Sequence, residues 1–422
     1  MADFKSTTLL NAIKESASAI YKDRVPDATE QNLREVGTAI MDYDITRNEF
    51  ANALFNKIGL TVIKNKMFEN PLKEFKRGML DNGQDIEEIF VELCKASAYD
   101  PAVAETEVFK RNIPDVRSIF HRINREDMYK QTTSITDLQK AFTSESGMQS
   151  VIDKIISGMY VSDEQDEFLI MKAVIGQYGV EGKFIPVVVN VVNSEATAKI
   201  ALAKIKEVSN NMTFISTNYN FAGVNTHTPK AEQVVLISTA FDALIDVEVL
   251  ASAFNMDKAD FIGRRVLIDD FGGLSGVLCA VVDKEWFMDF DRLISAEQIY
   301  NPEGRYFNNF LHHHGVYSVS RFENAVLFVT SAPTVASVTV TPDSATLANG
   351  KKATYQLVTE ASGTNYPPSK CSFASDNESV YVNSSGMVSV PTGLTDVGVT
   401  ITATSVFDPT KSDTFVVTIG TP

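Results

Sequence analysis

After about Ser331 the chain stops mixing patterns and becomes a series of short alternating segments, and that switch fixes the outline of the molecule. Residues 337–340, 353–357, 387–390, 399–403 and 415–419 each place a Val, Ile, Leu, Phe or Tyr at every second position, with Gly350, Gly386, Gly393 and Gly398 at turns. Alternation with period two points successive side chains to opposite faces, so such strands bury their apolar side only when a second sheet covers it. Residues 332–422 number 91, close to the roughly 100 of a single two-sheet sandwich. Pro333 stands at the seam, where charged residues also thin out, and marks a domain boundary.

The first 330 residues mix helical and strand patterns without regular βαβ alternation, which predicts an α+β unit. Residues 1 to about 60 carry weak helical patterns interrupted by Pro26 and Gly37 and read as an extended or partly helical arm. Asp81-Asn82-Gly83 lies between two β-like runs within residues 70–93, the cue for a long two-stranded hairpin. Lys73, Lys76 and Arg77 fall on one strand of that hairpin and Glu87, Glu88 and Glu92 on the other, so it reads as a docking arm carrying both signs of charge. Val151, Ile152, Ile155, Ile156, Met159, Phe168, Leu169, Met171 and Ile175 recur at three- and four-residue spacings, a long amphipathic helix with an acidic interruption at 163–167. It is expected to end where Gly176, Gly179 and Gly182 accumulate. A strand at 184–192 leads to a helix capped by Ser194, followed by a strand at 234–237, a helix at 246–255 and strands at 265–268, 276–282 and 315–329.

The formal net charge is −16, which works against a sequence-independent grip on nucleic acid, because that grip needs Lys and Arg to displace counterions. No run approaches the roughly 18 apolar residues of a membrane-spanning helix, and the first 24 residues lack a signal-peptide core, so no membrane partner is expected. Cys94, Cys279 and Cys371 show no metal or redox spacing and read as buried apolar thiols. In the run His312-His313-His314, a strand would turn only His312 and His314 to one face, and no carboxylate or cysteine sits beside them at ligand spacing. Gly272-Gly273-Leu274-Ser275-Gly276 fits neither a nucleophile elbow, since Val277 stands where a glycine is required, nor a phosphate loop, and reads as a connection between strands. The residues thus point to no catalytic, cofactor or metal site, and the chain is not expected to be an enzyme.

Several long strings resemble the major capsid proteins of phi-29-like small podophages, members of the Hong Kong 97-type capsid fold. They are NPLKEFKRGMLDNGQDIEEIF at residues 70–90, IPDVRSIFHRINREDMYKQT at 113–132, DVEVLASAFNMDKADFIG at 246–263, VDKEWFMDFD at 282–291, NPEGRYFNN at 301–309 and SVSRFENAVLFV at 318–329. The resemblance implies an N-terminal arm at 1–60 and a capsid domain at 61–330. Within that domain it implies an extended loop at about 67–93, a spine helix at about 148–178 and an axial domain at about 183–276, with strands at 277–282 and 317–329 completing the peripheral sheet. VTVTPDSATLANGKKATYQL (338–357), SDNESVYVNSSGMVSV (375–390) and VTITATS (399–405) resemble the bacterial immunoglobulin-like group-2 domain, here at 331–422, with Phe373 where that family usually has Trp. The implied function is self-assembly, through hexameric and pentameric capsomers, into an icosahedral or elongated shell enclosing double-stranded DNA. The implied partners are further copies of the chain, a scaffolding protein and a portal protein, with assembly in the host cytoplasm and Lys73, Lys76, Arg77, Glu87 and Glu88 as the inter-subunit residues. A bacterial surface adhesin is the alternative, weakened by the missing signal peptide.

Overall fold

The computed structural model describes residues 6–62, 68–81, 85–94, 96, 114–141, 156–244 and 265–420. In chain order the body contains α1 (Ser6–Ser16), α2 (Ala19–Arg24), α3 (Leu33–Met41), α4 (Asp44–Val62), β1 (Lys76–Met79), β2 (Ile86–Val91), β3 (Val116–His121) and β4 (Arg125–Ser134). Next come α5 (Ile135–Ala141), α6 (Val161–Val180), β5 (Ile185–Val188), α7 (Glu195–Asn211), β6 (Gln233–Ser238), α8 (Thr239–Leu244) and β7 (Arg265–Ile268). β8 (Val277–Asp283), β9 (Asp289–Asn301), β10 (Tyr306–Val316) and β11 (Ala325–Val329) complete it. The chain forms two compact units, the first made of Met1–Gln84, Arg122–Ile170 and Asp289–Tyr317, the second of the remaining three stretches.

The first unit is built on a sheet ordered β1-β9-β10-β4, in which β10 pairs antiparallel with both β9 and β4 while β1 runs parallel to β9. Of the two forms expected for the first 60 residues, extended or partly helical, the described residues take the helical one. Leu9, Leu10, Ile13, Val36, Ile40, Phe50 and Leu54 recur at helical spacing, and the helices bury them against Ile135, Leu138, Phe307 and Leu311. Pro26 lies in the connection after α2, and the Asn11 side chain bonds both the N–H and the carbonyl of Ala28, tying that connection to α1.

The second unit contains a five-stranded sheet ordered β5-β11-β8-β6-β7. Its central strands β8 (VLCAVVD) and β11 (AVLFV) have almost no exposed side chain, the composition expected of strands covered on both faces. α7 covers one face with Ala198, Ala201, Ile205 and Val208 against Cys279, Val281, Val326 and Phe328. Its expected cap is present: the Ser194 side chain accepts from Thr197 N–H in a reciprocal capping box. Two expectations are corrected. The strand anticipated at 315–329 is two strands in different sheets, because the Ser320 hydroxyl accepts from the N–H groups of Phe322 and Glu323 and turns the chain between them. The strands at 277–282 and 317–329 were expected in the peripheral sheet, but β8 and β11 belong with β5, β6 and β7.

The long helix appears as a π-helical turn at Ile156–Tyr160 followed by α6, unbroken by the acidic stretch; Asp163 and Glu164 sit in its first turn, where the helix dipole favours negative charge. Residues 148–155 and the helix expected at 246–255 lie outside the described residues. α6 continues past Gly176 and Gly179 and stops before Gly182, which has φ +65°. The internal glycines are there for contact. A Cβ at Gly176 would strike the carbonyl of Gly272, whereas one at Gly272 (φ +64°) would lie 2.8 Å from Gly176 Cα. The glycine loop 272–276 is thus a strand connection, as its sequence suggests, that also serves as a packing surface for α6.

The tail adds β12 (Thr334–Thr341), β13 (Ser344–Ala348), β14 (Ala353–Gln356), β15 (Val358–Thr364), β16 (Cys371–Ser375), β17 (Tyr381–Val382), β18 (Met387–Val390), β19 (Val397–Ser405) and β20 (Ser412–Gly420). One layer is β13-β20-β19-β16; the other comprises β12-β15 and β14-β18-β17. They share a core of Val335, Val338, Leu357, Val388, Val399, Ile401, Phe415 and Val417, with Phe373 packed partly against it. All five expected tail strands are present. Of the three cysteines, Cys279 and Cys371 are buried as anticipated, but Cys94 is exposed.

Gly176→Ala is expected to destabilise the protein by about 1–3 kcal/mol through overpacking against the 272 loop, while Gly398→Ala, where a Cβ meets nothing within 4 Å, stays near neutral. Urea unfolding of the two variants checks the contrast.

Candidate functional site: an apolar ribbon face and a buried charge network

β2 and β3 pair antiparallel, from Ile86 opposite His121 to Val91 opposite Val116, and form a sheet of their own. One face of this ribbon is anchored: Phe90 and Ile119 pack on Ala222, Val224 and Phe322, with the Phe90 and Phe322 rings 5.6 Å apart. On the same face Glu88 meets the His121 ring nitrogen Nε2 at 3.2 Å and accepts from the Ser320 hydroxyl. The opposite face presents Ile89, Val91, Val116 and Phe120, each more than half exposed. Both outer edges of the ribbon lack a strand partner among the described residues. Four neighbouring apolar side chains on an open-edged ribbon form a surface that gains on the order of 1 kcal/mol per side chain when covered.

The hairpin expected at residues 70–93 is corrected. β1 pairs with β9 and β2 with β3, so the two runs flanking Asn82-Gly83 are not partners, and the turn itself lies outside the described residues. The reason is composition: β1 is the short, polar KRGM with a glycine at φ +120°, whereas VRSIFH supplies β2 with apolar cross-strand neighbours. The five charged residues are therefore not arranged across one hairpin. Lys73 pairs with Glu164, and Lys76 lies 3.1 Å from Glu167 and 2.8 Å from Asp291. Arg77 is exposed on β1, Glu87 is exposed on the outer ribbon face, and Glu88 faces inward to His121.

The lysine contacts lead to a network that single-residue reading missed. Along β10 the side chains of Phe307, Asn309, Leu311 and His313 are buried in turn, while His312 and His314 share the other face with ring centroids 6.2 Å apart. His313 Nδ1 lies 2.7 Å from Asp163 and Nε2 lies 2.9 Å from Asp291. Asp163 also accepts from Arg125 at 2.7 Å, and Arg125 extends to Asp127 and to the Tyr317 hydroxyl. Burial alone would lower the His313 pKa, but hydrogen bonds to Asp163 and Asp291 outweigh it and raise it. Burial works to raise Asp291, yet His313 and Lys76 hold its carboxyl below the usual range, whereas burial pushes Glu167 up. The buried His313 ring, held between two carboxylates, is a cross-brace linking β10, β9 and α6. Among the described residues no His, Cys, Asp and Glu grouping is suited to a metal. The signal was the period-two burial of β10, which turns the middle histidine inward.

Because its folded-state pKa is raised, His313 contributes stability that is complete below the ordinary imidazole value near 6.5 and is lost as pH rises through the raised value. His313→Gln is expected to cost about 3 kcal/mol at mildly acidic pH in urea unfolding. The gap from the parent protein should narrow as pH rises; a constant gap would show that the His313 pKa is not raised in the fold.

A family model described as Phi29-like phage major capsid protein matches residues 10–329. The major capsid protein of Bacillus phage B103 is 38% identical over 362 residues, which cover 85% of this chain and 80% of that protein. That of Bacillus phage GA-1 is 39% identical over 338 residues, 78% and 71% respectively. Among solved structures, the capsid of Staphylococcus phage Andhra shares the fold at TM-score 0.52 and 13% identity, over 64% of this chain and 87% of that one. These matches give the adhesin alternative no support. The chain belongs to the Phi29-like phage major capsid proteins and is a structural, non-enzymatic component of a virion capsid with their α+β fold.

Proposed function

We propose that the β2–β3 ribbon is the arm with which each subunit grips its neighbour in pentameric and hexameric capsomers, closing the shell around double-stranded DNA. The observation that carries this reading is the exposed apolar face of Ile89, Val91, Val116 and Phe120 on a ribbon whose other face is anchored. It replaces the mixed-charge arm at 67–93 with an apolar ribbon formed by 86–91 and 116–121. Of the five charged residues first assigned to inter-subunit contact, Arg77 and Glu87 are the exposed ones and would lie at the margin of such contacts. Assembly would draw on a scaffolding protein and a portal protein in the host cytoplasm. With a net charge of −16, the subunit would hold the genome without a strong grip on phosphate.

The double variant Ile89→Asp, Phe120→Asp changes only outward-facing side chains and should leave the subunit folded by circular dichroism. Co-expressed with scaffolding protein, it is expected to yield at least tenfold fewer shells in electron micrographs. Shells in normal numbers would rule out the ribbon as the arm.

The tail is read as an immunoglobulin-like group-2 module on the shell surface that reinforces its own subunit or contacts the host surface. Supporting this, the Ser369 N–H donates to the Gly182 carbonyl at 2.7 Å, and Lys370 Nζ donates to the carbonyls of Thr217 and Asn220 at 2.6 and 2.7 Å. Truncation after Ser331 should lower the melting temperature of the shells or their adsorption to cells. If neither changes, the reading is wrong.

A further inference from the structure

A cavity of about 300 Å³ opens within the second unit, where β3, the turn before β11 and tail strands β14–β16 come together. Every charged residue in its wall is a cation: Arg117, Lys183, Arg321 and Lys370. That is unexpected in a chain with 54 acidic and 38 basic residues. Asp115 stands beside Arg117 and Glu181 beside Lys183, and Glu181 also lies within electrostatic reach of Arg321. Lys370 has no carboxylate beside it among the described residues; its ammonium donates to two backbone carbonyls, leaving one of three N–H bonds and the full charge uncompensated. Burial pushes the Lys370 pKa down to about 8, as desolvation of an unpaired cation requires.

The rest of the wall is mixed: Phe221, Phe322, Leu357 and Phe373 form its apolar part, Ser118, Gln356, Thr359 and Asn383 are polar, and the Ser385 hydroxyl, which accepts from Arg117, has a proton left to donate. An anionic group would supply the missing countercharge, and the aromatic wall would take an apolar body. The volume stands at the lower end for small-molecule sites. We propose that this cavity binds a small amphiphilic anion, its single carboxylate, sulfate or phosphate group held by Lys370 and Arg321 and its short apolar chain laid along Phe322, Leu357 and Phe373. Because the walls come from both body and tail, an occupant would tie the two together and stabilise the folded subunit.

The test is calorimetric titration of the full-length chain with decanoate, inorganic phosphate and decyltrimethylammonium, each below its micellar concentration. Decanoate should bind one site per chain at least tenfold more tightly than either of the others and should raise the thermal midpoint. Arg321→Gln, at an exposed position, is expected to fold normally and weaken decanoate about tenfold; Lys370→Met should abolish binding. If Lys370→Met fails to fold, the Arg321 variant and the three-ligand comparison still decide. Phosphate binding as tightly as decanoate would overturn the apolar half of the proposal. Equal binding of the cationic amphiphile, or undiminished decanoate binding by Arg321→Gln, would overturn the whole.

Discussion

In the second unit, burial of β8 and β11 on both faces is the condition on which the surrounding elements depend. A strand with no exposed face needs a covering layer on each side. One side is supplied by α7. In the same unit Trp286, Tyr178, Phe184 and Phe287 pack with ring centroids 4.8 to 5.4 Å apart, so the short turn after β8 and the end of α6 are joined through aromatic contacts. The glycines at 176 and 272 let α6 approach the loop that feeds β8. Helix, loop and sheet positions are thus consequences of one demand for coverage.

The same demand explains which parts of the fold were legible in the sequence. Tail strands could be read because each is alternating, short and punctuated, and β6 and β7 because they are apolar runs of strand length. The β-hairpin at 70–93 misled because an Asn-Gly pair reports only a local turn preference, whereas strand pairing is decided by which cross-strand neighbours pack. KRGM offers few, and the partner of β2 lies about thirty residues further on. Residues 1–60 looked weakly helical because α1, α2 and α3 are short and the apolar faces of these helices make sense only against partners such as Phe307 and Leu311, distant in sequence.

The charge network was hidden for a related reason. Its members, Lys76, Arg125, Asp163, Asp291 and His313, come from five separate stretches, and apart from the histidine run around His313 none has an unusual neighbour in sequence. Pattern reading correctly separated His313 from His312 and His314 but had no means of finding carboxylates from α6 and β9. The family resemblance, by contrast, rested on long unusual strings and carried the identity and fold directly, while the role of each charged residue needed coordinates.

β10 carries a further consequence. Its alternation is continuous from Phe307 to His313, with every second side chain entering a core or the ion network. Inserting or deleting one residue within that strand would slip its register, bring His312 or His314 inward in place of His313 and turn Phe307 and Leu311 toward solvent on the same stroke. A two-residue change preserves facing, and the 302–305 loop lies outside the pleat. Length variation in this part of the protein is therefore governed by parity: the strand tolerates even steps or none, and the adjoining loop absorbs the rest.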